Sequence, residues 1–319
     1  MSASGTPRRR SVGLALGGGG ARGLAHIGVL RALEEREYVI EAIAGCSMGG
    51  IIGALIGSGY SPSDMIALFK ATSFRDILDF GAMGGLIGGK GVEKLLREHV
   101  RANFEDLDIP LKVTTVDVQR GTLLVIGAGP LVPALRATSA LPGILSPVEH
   151  LDRVFIDGGL LNNLPVDVVR TMSLAPLLAV DVGAPHNREL DFGQGHGVVD
   201  TVKRFSKREF RTLTIELFMK SFDIPQRFIT ETRLAMDPPE VLIRPRLDVS
   251  FGVEDFHRLD EAVGSGYDAA CEELDRWDGG DSRPAEVSVT PDSTNGPVSP
   301  ADEHVMPLRR VIRRTKRSH

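Results

Sequence analysis

The chain has 319 residues, 42% hydrophobic and 25% charged, with a formal net charge of -5 and a pI near 5.9. This composition belongs to a globular protein with room for a sizeable core, and the acidic balance argues against a nucleic-acid-binding core. Two widely separated cysteines, Cys46 and Cys271, form neither a metal-ligand pattern nor a disulfide framework, so a reducing cytosol is the expected compartment.

Residues 1–10 are polar, and no apolar block with a cleavage site follows Arg8-Arg9-Arg10. Ser11–Leu16 reads as an apolar strand broken by Gly17-Gly18-Gly19-Gly20. Leu24–Glu37 follows as a helix, with Leu24, Ile27, Leu30 and Leu33 on one face. A second strand, Ile40–Ala44, runs into Gly45-Cys46-Ser47-Met48-Gly49 and then a small, apolar helix reaching Gly59. This βαβα opening implies a parallel sheet with helices packed on it. The window 42–60 carries no charge and is long enough for a membrane span, but its six glycines and its strand half fit a buried α/β segment better.

Ser61-Pro62-Ser63-Asp64 marks a helix cap before Met65–Ala71, and Val92–Arg101 is a further helix. Leu111–Val118 and Thr122–Ile126 form a strand pair about Gln119-Arg120-Gly121. Leu131–Ser139 is a helix stopped by Leu141-Pro142-Gly143. Val154–Ile156 is a short strand ending at Asp157, and Leu177–Val182 is another. Beyond His186 the character changes: Val198–Lys220 and Arg227–Met236 read as two amphipathic helices outside the sheet. Val241–Pro245 is a strand and Asp255–Arg276 the final helix. Gly279–His319 lacks apolar periodicity and reads as a disordered tail. Its end carries Arg309, Arg310, Arg313, Arg314, Lys316 and Arg317, which suits an anionic lipid surface; the plain alternative is a solvated end. The expected organisation is a flexible stretch over 1–10, a catalytic core over 11–185, completing helices and a strand over 186–278, and the tail over 279–319.

Gly45-Cys46-Ser47-Met48-Gly49 has the G-x-S-x-G spacing of a serine nucleophile on a sharp strand-to-helix turn, where bulky flanking residues collide with the neighbouring strand and helix. Serine needs a base and oxyanion donors. The loop Gly18-Gly19-Gly20-Ala21-Arg22-Gly23 supplies candidate backbone donors at a helix start, with Arg22 adding charge or bracing the loop. The same loop reads G-x-G-x-x-G, but the serine turn stands where a dinucleotide site expects its ribose-reading carboxylate. Gly84–Gly91 nearly spells a phosphate loop, with glycine in place of the Mg²⁺-binding hydroxyl. His26 reads as a packing residue. The base stays open on physics alone: His186, His196 and His257 follow in sequence, none at a clean strand end. Asp157 sits at a strand end and is freed by Gly158 and Gly159.

Taken together, Gly18–Gly23, Gly45–Gly49 and Asp157-Gly158-Gly159 resemble the patatin-like phospholipase family. The segments Arg136–Gly143 and Asn162-Asn163-Leu164-Pro165 resemble those flanking that family's aspartate. The likeness runs from about Ser11 to Val182. It implies an α/β fold, a three-layer α/β/α with a mainly parallel central sheet, and a Ser-Asp dyad of Ser47 and Asp157. It places the oxyanion hole at Gly18, Gly19 and Gly20, with Arg22, Gly23, Gly45, Gly49, Gly158 and Gly159 in support. The reading that follows is a serine lipid acyl hydrolase using no metal or cofactor on a lipid ester, cytoplasmic with peripheral membrane contact. The alternatives are a catalytically weak lipid-binding or regulatory protein and a nucleotide-binding dehydrogenase.

Overall fold

The computed structural model describes residues 10–73, 89–150, 152–183 and 207–280, with side chains between 207 and 219 described only at Leu217. The phosphate-loop decoy up to residue 88, His186, His196 and the tail beyond 280 lie outside them. The strands are β1 (Ser11–Leu16), β2 (Val39–Gly45), β3 (Leu111–Asp117), β4 (Thr122–Ile126), β5 (Val148–His150), β6 (Arg153–Asp157), β7 (Leu177–Val180) and β8 (Val241–Ile243). The helices are α1 (Ala25–Glu35), α2 (Met48–Gly57), α3 (Pro62–Ala71), α4 (Lys90–His99), α5 (Leu131–Thr138), α6 (Gly159–Asn162), α7 (Val166–Arg170), α8 (Lys207–Met236) and α9 (Leu259–Asp278).

One sheet runs β5-β6-β3-β2-β1-β7-β8, with β4 also paired to β3. The five strands from β3 to β8 along that path are parallel, while β4, β5 and β6 pair antiparallel. Alternation sorts β1 onto two faces. Val12, Leu14 and Leu16 join a large core with α1, α2 and α9, whereas Gly13 lies against Val169 of α7 on the other face. β7 repeats the pattern, with Leu178 and Val180 in that core and Leu177 and Ala179 buried outside it. Helices on both faces of the sheet make the three-layer α/β/α arrangement expected from the sequence.

Ser61 caps α3 as expected: its hydroxyl accepts from the Asp64 N–H at 3.1 Å while the Asp64 carboxylate takes the Ser61 N–H at 3.0 Å. Elsewhere the elements depart from the sequence reading. Residues 20–24 form a 3-10 turn, so the first full helix starts at Ala25. The two helices expected across 198–236 are one helix within the described residues, Lys207–Met236, with Pro225 inside it. Proline costs an interior hydrogen bond, yet Phe222, Thr230 and Leu234 are buried against the body, and that packing outweighs the local break. β5, α6 and α7 went unanticipated because three to five residues carry too little periodicity.

Candidate active site

The meeting of Ser47 and Asp157 is decided by the two edges of β3. β4 pairs with Val113–Asp117 along one edge; the other edge takes β2 at Leu111–Val113 and β6 at Thr115–Asp117. β2 runs parallel to β3 and β6 antiparallel, so the two strands point at each other along one neighbour. They end at Gly45 opposite Val113 and at Asp157 opposite Thr115. Asp157 therefore arrives on an antiparallel strand. Its place at a strand end is the one read from the sequence.

Ser47 turns the chain at φ 51, ψ -123, a strained conformation for a side-chain-bearing residue. Four bonds hold it: Cys46 N–H to Leu16 O at 3.1 Å, Gly49 N–H to Cys46 O at 2.8 Å, Ile51 N–H to Ser47 O at 3.1 Å, and Ser47 N–H to Thr138 Oγ1 at 2.9 Å. A Cβ at Gly49 would collide with the Leu16 carbonyl, and one at Gly45 would lie 2.6 Å from the Gly49 backbone. Both flanking glycines of the motif are steric requirements.

Asp157 is buried, and burial pushes its pKa up to about 6. Hydrogen bonds to the carboxylate oppose that shift: the Gly159 N–H reaches Oδ1 at 2.8 Å, the Ser47 hydroxyl donates, and the Cys46 thiol lies 3.4 Å from Oδ1. Burial and the neighbouring carboxylate push the Cys46 thiol well up, which keeps it protonated. Asp157 N–H donates to Ala140 O at 3.0 Å. The Thr138–Ala140 stretch thus holds the backbone of both residues. Thr138 was not singled out from sequence; its signal was a place inside the Arg136–Gly143 segment.

The glycine loop is fastened from three sides. Asn163 grips Gly18 reciprocally, its Nδ2 donating to Gly18 O at 3.1 Å and its carbonyl accepting the Gly18 N–H at 3.2 Å. Arg22, buried and close to Gly19, donates through Nε to Val182 O at 3.2 Å, which is the bracing role. His26 is fully buried and donates through Nε2 to Gly17 O at 2.7 Å; burial lowers its pKa to about 4, so it is a neutral brace. The Gly18 amide is thereby occupied. Among the described residues, the Gly19 and Gly20 N–H groups and the helix-opening Met48 N–H donate to no protein acceptor. Met48 was missed from sequence, although the residue after a candidate nucleophile is a place to look for an oxyanion donor. Gly23 packs against Met48, and a Cβ on Gly158 would meet the Thr114 carbonyl. His257 is exposed beside Asp255, and His99 bonds the Tyr60 hydroxyl at 2.8 Å.

A family profile described as patatin-like phospholipase matches residues 14–170, which contain Gly18–Gly20, Ser47, Thr138, Asp157 and Asn163. Over these residues the chain is a patatin-like phospholipase match. It is 29% identical over 290 residues to the lysophospholipase NTE1 of Mycosarcoma maydis, covering 84% of this chain and 15% of that one. It is 35% identical over 184 residues to an uncharacterized NTE family protein of Mycobacterium tuberculosis, covering 56% of this chain and 50% of the relative. The chain therefore spans half or less of the length of these relatives. The structure of VipD from Legionella pneumophila shares the fold at a TM-score of 0.51 and 14% identity, covering 85% of this chain and 67% of that one.

Three cavities meet at this patatin-like site. A cleft of about 30 Å³ lies between Gly18–Gly20, Ser47 and Asp157, roofed by Phe222, Asp223 and Gln226 of α8. It shares Gly20, Ser47, Leu141 and Val253 with an apolar cavity of about 140 Å³ walled by Met48, Ile51, Leu55, Phe69, Leu95 and Ile144. A polar cavity of about 140 Å³ adjoins it through Arg22, Asn163 and Gln226.

Proposed function

We propose that the chain is a serine lipid acyl hydrolase that cleaves carboxylic esters through Ser47 and Asp157. The observation that carries this reading is a strained, elbow-borne serine hydrogen-bonded to a buried carboxylate whose pKa lies near 6. A carboxylate of that basicity is close to neutral pH, which favours proton transfer from the hydroxyl. Ser47 Oγ attacks the ester carbonyl as Asp157 takes its proton. The carbonyl oxygen becomes an oxyanion beside the Gly19 and Gly20 amides, with the Met48 amide available from the elbow. Gly18 contributes chiefly by fixing the loop, since its N–H is already engaged. As the tetrahedral species collapses, the carbonyl–alkoxy bond breaks and the leaving alcohol carries away the proton from Asp157. A water then loses its proton to Asp157 and attacks the acyl-enzyme, and the fatty acid leaves as Ser47 regains its proton.

The apolar cavity supports a fatty acyl chain as the group transferred to Ser47. No helix among the described residues is long and apolar enough to cross a membrane. Peripheral contact is the reading supported by Leu217, Ile224 and Phe228, exposed on α8 along a face turned away from Phe222 and Gln226. A fluorophosphonate probe, with mass-spectrometric analysis of products from a mixed lipid panel, tests the chemistry. The expected result is Ser47 labelling and fatty-acid release, both lost in Ser47→Ala. Intact lipid and an unlabelled serine would instead favour a lipid-binding protein without catalysis.

A further inference from the structure

Cys46 takes no part in the steps above, yet its side chain stands beside the proposed base. It follows β2 directly and is fully buried. Its backbone is pinned on both sides, the N–H on Leu16 O at 3.1 Å and the carbonyl under the Gly49 N–H at 2.8 Å. The thiol is left one slot, between the Asp157 carboxylate and the hydroxyls of Thr114 and Thr138. Both hydroxyls have fixed duties: Thr114 Oγ1 donates to Asn162 O at 3.1 Å, and Thr138 Oγ1 accepts the Ser47 N–H at 2.9 Å. Of these three neighbours only the carboxylate carries negative charge, and a charged acceptor draws a donor more strongly than a neutral one. The thiol proton is therefore directed at Asp157 Oδ1, 3.4 Å from the sulfur.

Two donors thus converge on one oxygen. The Gly159 N–H reaches Asp157 Oδ1 at 2.8 Å from the turn after β6, and Cys46 reaches it from the elbow. Held from two separate elements, the carboxylate is restrained in rotation, and Oδ2 is the oxygen left for the Ser47 hydroxyl. The elbow donor precedes the nucleophile by one residue, so a shift of the elbow carries nucleophile and base together. A thiol is also a weak donor. It steadies the carboxylate while taking less basicity from it than a hydroxyl takes. The direct partners of Asp157 are all neutral, and the charged residues lining the same cleft are Arg22 and Asp223, one of each sign.

We propose that Cys46 is a positioning residue, whose protonated thiol holds Asp157 Oδ1 so that Oδ2 faces Ser47. The inference rests on the hydrolase reading and adds a third side chain to it.

Substitution at position 46 separates a donor from a space-filler. Serine and alanine both shrink the side chain, so a packing role gives the two variants like effects. A donor role sends them opposite ways, because a hydroxyl donates more strongly than a thiol and a methyl group not at all. The measurement is the pH profile of kcat/KM on a water-soluble ester, whose acid limb does not depend on the fraction of folded enzyme. Cys46→Ala is expected to move that limb up by about half a pH unit, and Cys46→Ser to move it down by about as much. At the plateau, Cys46→Ala should lose about fivefold in kcat with KM unchanged, while Cys46→Ser stays within about twofold of the parent. Serine, the closer isostere, carries the test by itself where the alanine protein does not accumulate. A limb that stays in place, or that moves the same way in both variants, overturns the role of the thiol. Labelling of Ser47 by fluorophosphonate in those proteins then leaves the hydrolase reading standing. An inactive parent whose Ser47 is not labelled overturns both.

Discussion

At the scale of single residues, Asp157 is where structure and proposed chemistry pull against each other. Its folded pKa of about 6 stands above the ordinary carboxylate value of 3.8, so the native state binds that proton more tightly than the unfolded chain does. Stability from this group is therefore greatest below the unfolded pKa, falls as pH rises between about 4 and 6, and stays lower above that range. The cost of holding the carboxylate ionised at pH 8 is on the order of 3 kcal/mol. Asp157→Asn keeps an oxygen for the Gly159 N–H while removing the charge. It is expected to be inactive on a soluble ester yet at least as stable as the parent at pH 8, with the difference closing below about pH 4. Urea denaturation at both pH values checks this; a variant much less stable at pH 8 would show that the charge is compensated. The parent's kcat/KM should fall about tenfold per pH unit below roughly pH 6, as the base becomes protonated.

Among the elements, α8 and the α1–α9 contact carry the clearest consequences. α8 turns Phe222 and Gln226 toward the cleft, while Leu217, Ile224 and Phe228, 48%, 62% and 73% exposed, lie along its opposite face. Burying such a face in a lipid interface gives about 25 cal/mol per Å² of apolar surface. Introducing Ile224→Asp with Phe228→Asp should cut binding to liposomes at least tenfold in a sedimentation assay while sparing turnover of a water-soluble ester. Equal sedimentation of parent and variant would remove this helix from the membrane reading. In the α1–α9 contact, a Cβ on Gly266 would strike the carbonyl of Ala25. Alanine at an interior helix position gains about 1 kcal/mol in propensity over glycine, but overpacking against rigid backbone costs about 1–3 kcal/mol. The clash wins because a carbonyl in a helix has nowhere to move. Gly266→Ala should lower stability by about 1–2 kcal/mol in chemical denaturation.

Across the whole molecule, the large core draws on residues from Val12 to Leu274 among the described residues, with β1, β2, β3, β7 and β8 all contributing to it. The compact unit that contains them ends at Glu286. A chain ending there is expected to keep its Tm within about 2 °C and its activity on a soluble ester. Liposome binding unchanged by that truncation would assign no part of it to the basic end. β1 and β4 match their sequence bounds, and β2, β3, α2 and α5 lie within two residues of theirs, because their apolar periodicity or turn chemistry is strong. The strand of Asp157 was located, but its direction was not, since residue order along a strand contains nothing about its neighbour. Gly18 stood with Gly19 and Gly20 as an equal donor in the sequence reading. Its capture by the Asn163 carbonyl depends on a residue far along the chain and was invisible there.

The amino-acid order alone determined the local grammar of this protein: the four-glycine break after β1, a serine flanked by small residues, and an aspartate followed by two glycines. These are short-range steric and conformational demands, and they are written in neighbouring positions. Only the tertiary structure decided that β2 and β6 meet head to head on one edge of β3. It likewise decided that burial lifts Asp157 toward neutrality, and that an apolar and a polar chamber open on either side of the serine. Those outcomes depend on desolvation and on strand pairing between distant segments, which arise when the chain closes on itself.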